Sequence, residues 1–458
     1  MTSLYVCEHL LSPDGFLSPG WFEIDDAGFL SAVGRGEPRA GARSISGYVL
    51  PGLPNLHCHA LQRAIAGRAE RAAAGDGFFG WRQAMYRSLE RAGPEQLEAV
   101  AAQAYLEMLE SGFTSVAEFH YLHLDPQGRP YADRAELCEC IVRAAEKVGI
   151  GLTLLPVLYR ASGFGASGPE AAQQRFVLGV DAYLELLSAL HARHRADTRL
   201  RIGAAPHSLR AVPEPELRAW LRGVEQIDQT QPLHIHAAEQ RAEVEACVAW
   251  SGARPVEWLL DKLGLDSRWC VVHATHMTSA ETERLAASGA VAGLCPTTEA
   301  NLGDGLFSLR HFLEHEGHFG VGSDSNVSID PLEELRWLEY GQRLAELTRN
   351  VAADQAQPST GARLYLGALA GGAQALGQPI GALSPGFRAD LVVLDGEHPA
   401  LIGRAPELLL DALVFAASTS PVRDVMVGGR WVVTGGRHAQ REPIKEAFAR
   451  ALADLEGG

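Results

Sequence analysis

The feature that most constrains this chain is a recurrence of short apolar runs separated by longer helical patterns. The runs are YVLPGLPNLHCH (48–59), TSVAEFHY (114–121), GLTLLPVL (151–158), RIGAAPH (201–207), PLHIHAA (232–238), WCVVHATH (269–276), AVAGLCP (290–296) and FGVGSDS (319–325). Stretches between them, such as EQLEAVAAQAYLEMLESG and AYLELLSALHARH, carry apolar residues at i, i+3 and i+4, the spacing of one helix face. Strand–helix alternation gives parallel βα units, and eight such units predict an α/β fold, a (β/α)8 TIM-like barrel, over residues 51–380. Residues 1–50 differ in texture: SLYVCEHLL, GWFEIDDAG, FLSAVG and SGYVLPG are short strand patterns bounded by Gly, Pro or Asp. The same texture returns in GFRADLVVLDG and VRDVMVGGRWVVTGG. A small β-sandwich domain built from both chain ends, 1–50 and 381–440, is therefore expected, with PIKEAFARALADLE forming a C-terminal helix within 441–458.

Composition narrows the function classes. A chain of 458 residues is long enough for a large barrel with an accessory unit. The formal net charge of −16 leaves no basic stripe to displace counterions, so no nucleic-acid partner is expected. The apolar runs fall short of the roughly 18 residues of a membrane span, so no membrane partner is expected either. MTSLYVCEHLLSPDG lacks the basic and long apolar regions of a secretory signal. Seven scattered cysteines, an odd number, do not form a disulfide framework, and Cys138-Glu-Cys140 lies in a helical stretch without a matching pair. A reduced, cytoplasmic protein is expected.

The polar residues gather at strand ends, where a barrel of this type keeps its chemistry. His57 and His59 are separated by one residue, so strand alternation points both imidazoles to one side and Cys58 away. Alone, such a pair is as readily two hydrogen-bonded core histidines as two ligands. HIHAAEQ, HATH and GSDSN at three further strand ends change the balance, since several histidines and a carboxylate on one face are costly to bury without a purpose. Nitrogen and oxygen donors of this kind suit Zn2+ with a position left for water.

The segments PGLPNLHCHALQR, HIHAAEQ, VVHATH and GVGSDSNVS together resemble the aminohydrolase branch of the amidohydrolase superfamily. The resemblance runs from the N-terminal β segments to GALSPGFRADLVVLDG. Within that branch HALQRAIAGRAE, AEFHYLH, APHSLRAV and LCPTTEANLGDGLF are similar to deiminases of N-formimino amino acids. The resemblance implies metal ligands His57, His59, His236 and Asp324, with His236 preferred over His234 because it stands three residues before a glutamate. It implies Glu239 as proton shuttle and His273, with Asp324, as catalytic acid–base groups beside the activated water; His276 is expected to be structural. Binuclear relatives bridge two ions with a lysine or glutamate on strand three or four. GLTLLPVL and RIGAAPH contain neither, and the three lysines, Lys147, Lys262 and Lys445, fall in helical stretches. One Zn2+ per chain is expected, with Fe2+ the other ion these donors accept.

The implied reaction is hydrolytic deimination of N-formimino-L-glutamate, in histidine degradation, to N-formyl-L-glutamate and ammonia. A small dicarboxylate amidine needs forked donors above the metal, a task for arginine. The matching positions are Gln62, Arg82, Tyr121, His207 and Arg210, all expected as substrate contacts. Arg82 lies in GRAERAAAGDGFFGWRQAMYRSLE, a Gly-punctuated segment expected to cover the site. Glu299, Cys295 and Asp304 in CPTTEANLGDG receive no role. Two other readings compete: deamination of a ring amidine such as guanine with the same metal site, and a non-catalytic scaffold of the same fold. A homodimer is expected by analogy with relatives.

Overall fold

A computed structural model describes residues 3–36, 41–68, 70, 85–86 and 90–456. The N-terminal segment forms strands Ser3–Ser12 (β1), Gly15–Leu17 (β2), Gly20–Ile24 (β3), Leu30–Arg35 (β4) and Arg43–Pro51 (β5). The sequence pattern read 48–59 as one run, but the chain changes sheets inside it, at Gly52. A Cβ at Gly52 would sit 2.0 Å from Thr114 Cγ2, so only glycine lets the two segments pass this closely. Beyond it, Leu53–Cys58 (β6) begins a different sheet.

That sheet and its neighbour contain the remaining parallel strands: Phe113–His120 (β7), Gly151–Leu158 (β8), Leu200–Ile202 (β9), Ala205–Pro206 (β10), Leu233–Ala237 (β11), Trp269–His273 (β12), Val291–Leu294 (β13) and His318–Val321 (β14). They pair in the order β10-β8-β7-β6, with β9 also on β8, and β11-β12-β13-β14. The run RIGAAPH is split into β9 and β10, and Asp324 lies past the end of β14 rather than on a strand. Isolated parallel bridges join the two sheets on both sides, Cys58 to Asp324 at one seam and Ala204 to Leu233 and Ser208 to His236 at the other. Most of these strands are buried along their whole length, as expected where helices cover a parallel sheet. The covering helices start and stop on local signals: Pro94–Ser111 opens on Pro94 and ends at left-handed Gly112, and Thr278 Oγ1 accepts the Glu281 N–H at the head of Ser279–Ser288. The architecture is an α/β fold of TIM-barrel type.

After the helix Thr360–Leu376, strands Leu391–Leu394 (β15), Val422–Val427 (β16), Arg430–Thr434 (β17) and Arg437–His438 (β18) return to the N-terminal strands. All nine join one sheet, ordered β18-β17-β16-β15-β5-β1-β3-β4 with β2 on β1. The two-sheet sandwich expected from sequence is thus a single hydrogen-bonded path, because β5 pairs in parallel with β1 and antiparallel with β15. The C-terminal segment also holds a helix, Leu409–Ala416, that the strand reading passed over. Arg441–Glu456 forms the expected terminal helix.

A buried ion pair ties the nine-stranded sheet to the parallel strands. Arg388 and Asp390, 1% and 0% exposed, approach to 2.6 Å. Arg388 also donates to Ser115 Oγ on β7 at 2.7 Å and to the Thr198 carbonyl at 3.2 Å, while Asp390 accepts the Gly428 N–H at 2.8 Å. Removing one partner of such a pair leaves an uncompensated buried charge. Arg388→Ala is expected to lower the unfolding free energy by roughly 3–5 kcal/mol, read from urea denaturation; a loss under about 1 kcal/mol, the range of an exposed ion pair, would contradict this role.

Candidate active site

Three imidazoles and one carboxylate meet where the two sheets join. His57 Nε2 lies 3.1 Å from His236 Nε2 and 3.4 Å from Asp324 Oδ1; His59 Nε2 is also 3.4 Å from Asp324 Oδ1. One donor atom from each of His57, His59 and His236 lies within 4.8 Å of the others. All four residues are buried. The backbones carrying them hold one another: Asp324 N–H donates to the His57 carbonyl at 3.0 Å, and His59 N–H donates to the Asp324 carbonyl at 2.9 Å. A Cβ at Gly322 would stand 2.7 Å from the His57 backbone, so this seam needs glycine.

The hydrogen bonds of the outer ring nitrogens fix the tautomers. His59 Nδ1 donates to the Phe119 carbonyl at 3.0 Å and His236 Nδ1 to the His207 carbonyl at 3.1 Å, since a carbonyl can only accept. In the neutral rings, Nε2 of both therefore presents a lone pair to the common centre. Burial holds His57 down to about 3, against the pull of Asp324 and with the push of His59 and His273. Burial also lowers His59 and His236. Asp324 is held well below the usual carboxylate range: burial opposes its charge, but His57, His59 and His273 outweigh it. The His59 and His236 lone pairs repel the ionised Asp324 carboxylate unless a cation stands between them, His57 Nε2 lies beside both His236 and Asp324, and this donor set fits a zinc-like ion.

Beside this cluster stand the acid–base residues. His273 Nε2 is 3.8 Å from Glu239 Oε1 and 3.9 Å from Asp324 Oδ2, and its Nδ1 is 3.2 Å from Glu299 Oε1. Burial would lower His273, yet Glu239, Glu299 and Asp324 together raise it to about 10. The three carboxylates around His273 thus favour its charged form over its neutral one. Burial raises Glu239, partly opposed by His273 and reinforced by Asp324 and Glu243. The Glu239 side chain is 12% exposed, sheltered at the cavity wall. Left-handed backbone marks these turns, with φ of 54° at Ala238, 68° at His273, 49° at Ala274 and 43° at Asp324. Conformations this uncommon for residues with a Cβ bend the strand ends toward the mouth.

The cavity above is lined by Gln62, Tyr121, His207 and Arg210, together with His59, His236, Glu239, His273 and Asp324. Met85 and Tyr86, from the segment expected to cover the site, and Leu302, from CPTTEANLGDG, complete its walls with Tyr159 and Phe176, which were not foreseen. Gln62 Nε2 donates to Tyr121 Oη at 3.2 Å, and Gln62 Oε1 is buried without a partner among the described residues. Tyr121 lies one residue past β7 rather than within it. Arg82, with most of the segment expected to cover the site, falls outside the described residues. His234 is apart from the cluster, its Nε2 donating to the Ala375 carbonyl at 2.8 Å, and His276 Nε2 likewise donates to the Asp304 carbonyl at 2.8 Å.

Sequence reading missed the supporting ring. Glu118 accepts the Ala60 N–H at 2.9 Å and Tyr105 Oη–H at 3.0 Å, fixing the turn after His59; burial raises it to about 7. Asn326 Nδ2 donates to the His59 carbonyl at 3.1 Å and the Asp324 carbonyl at 3.0 Å. Glu299, left without a role, accepts the Cys295 N–H at 2.9 Å and faces His273. The only available signal was their position inside the quoted segments AEFHYLH, GSDSN and CPTTEANLGDG. Cys58 packs as expected, its Sγ 3.4 Å from Asn326 Nδ2.

Comparison with known proteins places this geometry. The chain is 51% identical over 455 residues to formimidoylglutamate deiminase of Pseudomonas aeruginosa, covering 99% of each chain. It is 30% identical to 5-methylthioadenosine/S-adenosylhomocysteine deaminase of Natronomonas pharaonis, covering 94% of this chain and 92% of that one. The crystal structure of an amidohydrolase from Brucella melitensis superposes with a TM-score of 0.94 at 44% identity, covering 99% of both chains. The sequence pattern of the Amidohydrolase family matches residues 48–432, so the strand-end histidines and their carboxylate sit inside the matched region and the chain belongs to the amidohydrolase family.

Proposed function

We propose that this chain hydrolyses N-formimino-L-glutamate to N-formyl-L-glutamate and ammonia, with one zinc ion held by His57, His59, His236 and Asp324. The observation that carries the substrate is Arg210. It borders the cavity beside Glu239 and His207, and its guanidinium has no hydrogen bond or ion pair among the described residues. An unpaired arginine over a metal-ligand cluster is a seat for a carboxylate, which it binds through a planar fork. The likeness to a formimidoylglutamate deiminase along the whole chain supports the same choice. We further assign Gln62, Tyr121 and His207 to substrate contact, and Arg82 as a second carboxylate donor. The finer architecture belongs with this reading: an eight-stranded barrel over 51–380, a separate small β domain from 1–50 and 381–440, and a cytoplasmic setting that suits seven free, buried cysteines.

An ion held by the four ligands would supply an activated water near neutral pH and would oppose the positive charge on His273. Asp324 and His273 then orient the water and take its proton, as the contacts of His273 with Asp324 and Glu299 allow. The water oxygen bonds to the formimino carbon. Burial favours the neutral form of Glu239, which delivers a proton to the imino nitrogen. A second proton, released from the new hydroxyl as the formyl C=O forms, passes to the same nitrogen. The carbon–nitrogen bond breaks, ammonia leaves, and the proton first taken from the water restores Glu239. Gln62 and Tyr121 brace each other across the cavity wall, while His207 is kept neutral by burial and Arg210.

One observation favours the ring-amidine reading. Tyr121, Tyr159 and Phe176 form an aromatic wall, with ring centroids 5.0 Å apart for Tyr121–Phe176 and 5.7 Å for Tyr159–Phe176, a surface on which a purine could stack. Ammonia release from N-formimino-L-glutamate, guanine and adenosine derivatives separates the two. Turnover of N-formimino-L-glutamate alone is expected, with Arg210→Met raising KM or lowering kcat/KM by about 10–100-fold, the loss of a charged hydrogen bond. Turnover of a purine and none of the formimino compound would overturn the proposal. Glu239→Gln in metal-replete protein is expected to lower kcat by roughly 10²–10⁴-fold; near-unchanged kcat would remove Glu239 from the proton path.

A further inference from the structure

A second group of metal-ligand donors lies outside the site described above. One ring nitrogen from each of His120 and His123 and the sulfur of Cys138 lie within 4.8 Å of one another. His120 ends β7, His123 follows three residues later, and Cys138 stands in the first turns of the helix Glu136–Val148. Their exposures are 3%, 3% and 1%, so the group is enclosed. His123 Nε2 donates to the Val157 carbonyl at 2.9 Å, which leaves Nδ1 as a bare lone pair. That atom and His120 Nε2 are both buried with no hydrogen-bond partner among the described residues.

Two imidazole nitrogens have thus left water without gaining a donor, an arrangement that natural cores avoid unless an ion or ordered water completes it. The loop that carries them is held in place. His123 N–H and Leu124 N–H both donate to the Arg175 carbonyl at 3.1 Å, and the Arg175 side chain returns a bond to the Leu124 carbonyl at 3.0 Å. The two rings stand nearly perpendicular, 5.6 Å between centroids, so they do not stack to satisfy each other. Two imidazoles and one thiol match the mixed nitrogen–sulfur sets that bind zinc and reject magnesium and calcium.

We propose that His120, His123 and Cys138 form a second metal site, structural in character, that takes a thiophilic divalent ion of the zinc class. Binding replaces the Cys138 S–H proton with a metal–sulfur bond, so one proton leaves to solvent and no electron is transferred. The ion clamps the end of β7 to the following helix. It thereby steadies Phe119, whose carbonyl accepts from His59, and Tyr121, which contacts Gln62. The CxC pair, without a partner in the sequence, gains a role through its first member only, since Cys140 Sγ contacts Glu136 instead.

Cobalt(II) tests the assignment, because a thiolate ligand gives a charge-transfer band in the near ultraviolet that histidine and carboxylate ligands do not. The full chain is produced in cobalt-supplemented medium, gel-filtered, and analysed for metal and absorbance. The expected result is two equivalents of cobalt with the band present, falling to one equivalent without the band in Cys138→Ser. One equivalent and no band in the unaltered protein overturns the proposal and leaves an ordered water as the partner of the two nitrogens. A band that persists in Cys138→Ser also overturns it, because the thiolate then belongs to another cysteine. If Cys138→Ser fails to fold, His123→Gln replaces it with the same expected loss, and the unaltered protein's metal count decides between one site and two.

Discussion

The structure depends on one unfavourable encounter: three imidazoles and an ionised carboxylate directed at a single buried point. Three of the four are held there by a bond on the far side, His59 to the Phe119 carbonyl, His236 to the His207 carbonyl, and Asp324 through its backbone to His57, while His57 Nδ1 is buried without a partner among the described residues. Those bonds remove the freedom by which the rings could turn and satisfy one another. A cation converts the repulsion into attraction, and the fixed geometry then costs little to keep. Glu118 and Asn326, buried in the ring around the ligands, serve the same end by holding the turns on which His59 and Asp324 sit.

The fold supplies that point by bringing two parallel sheets together along two seams. Cys58 bridges to Asp324 on one side and Ser208 to His236 on the other, so ligands stand at both closures. The left-handed turns at Ala238, His273 and Asp324 depart from the easy path of a strand, and they occur where polar side chains must turn into the mouth. The nine-stranded sheet lies elsewhere and is joined through Arg388 and Asp390 to Ser115, well away from the chemistry.

Much of this was legible in the sequence because apolar period and strand-end polarity are local signals. The runs around Val116, Leu154, Ile235 and Val271 read as strands, and all four residues are buried. His57 and His59 were placed by alternation, and a resemblance selected His236 over His234, which the structure sets apart from the cluster. What was not legible depends on contacts between distant segments. Gly52 reads as a small gap in an apolar run, yet contact with Thr114 makes it the point where the chain changes sheets. Glu299 gains meaning only from His273, 26 residues before it, and Glu118 only from Ala60, 58 residues before it. The upward pull on His273 could not be read from its strand either, because it comes from three carboxylates on three other segments.

The measurement that tests the central claim most directly is the unfolding midpoint of the metal-free chain with and without zinc, made on Cys138→Ser so that only the strand-end site responds. If the four ligands need a cation, zinc at about 100 times its dissociation constant adds roughly 2.7 kcal/mol of stability, and magnesium adds none. Identical midpoints with and without zinc would contradict the account, since the lone pairs would then be satisfied by some other means.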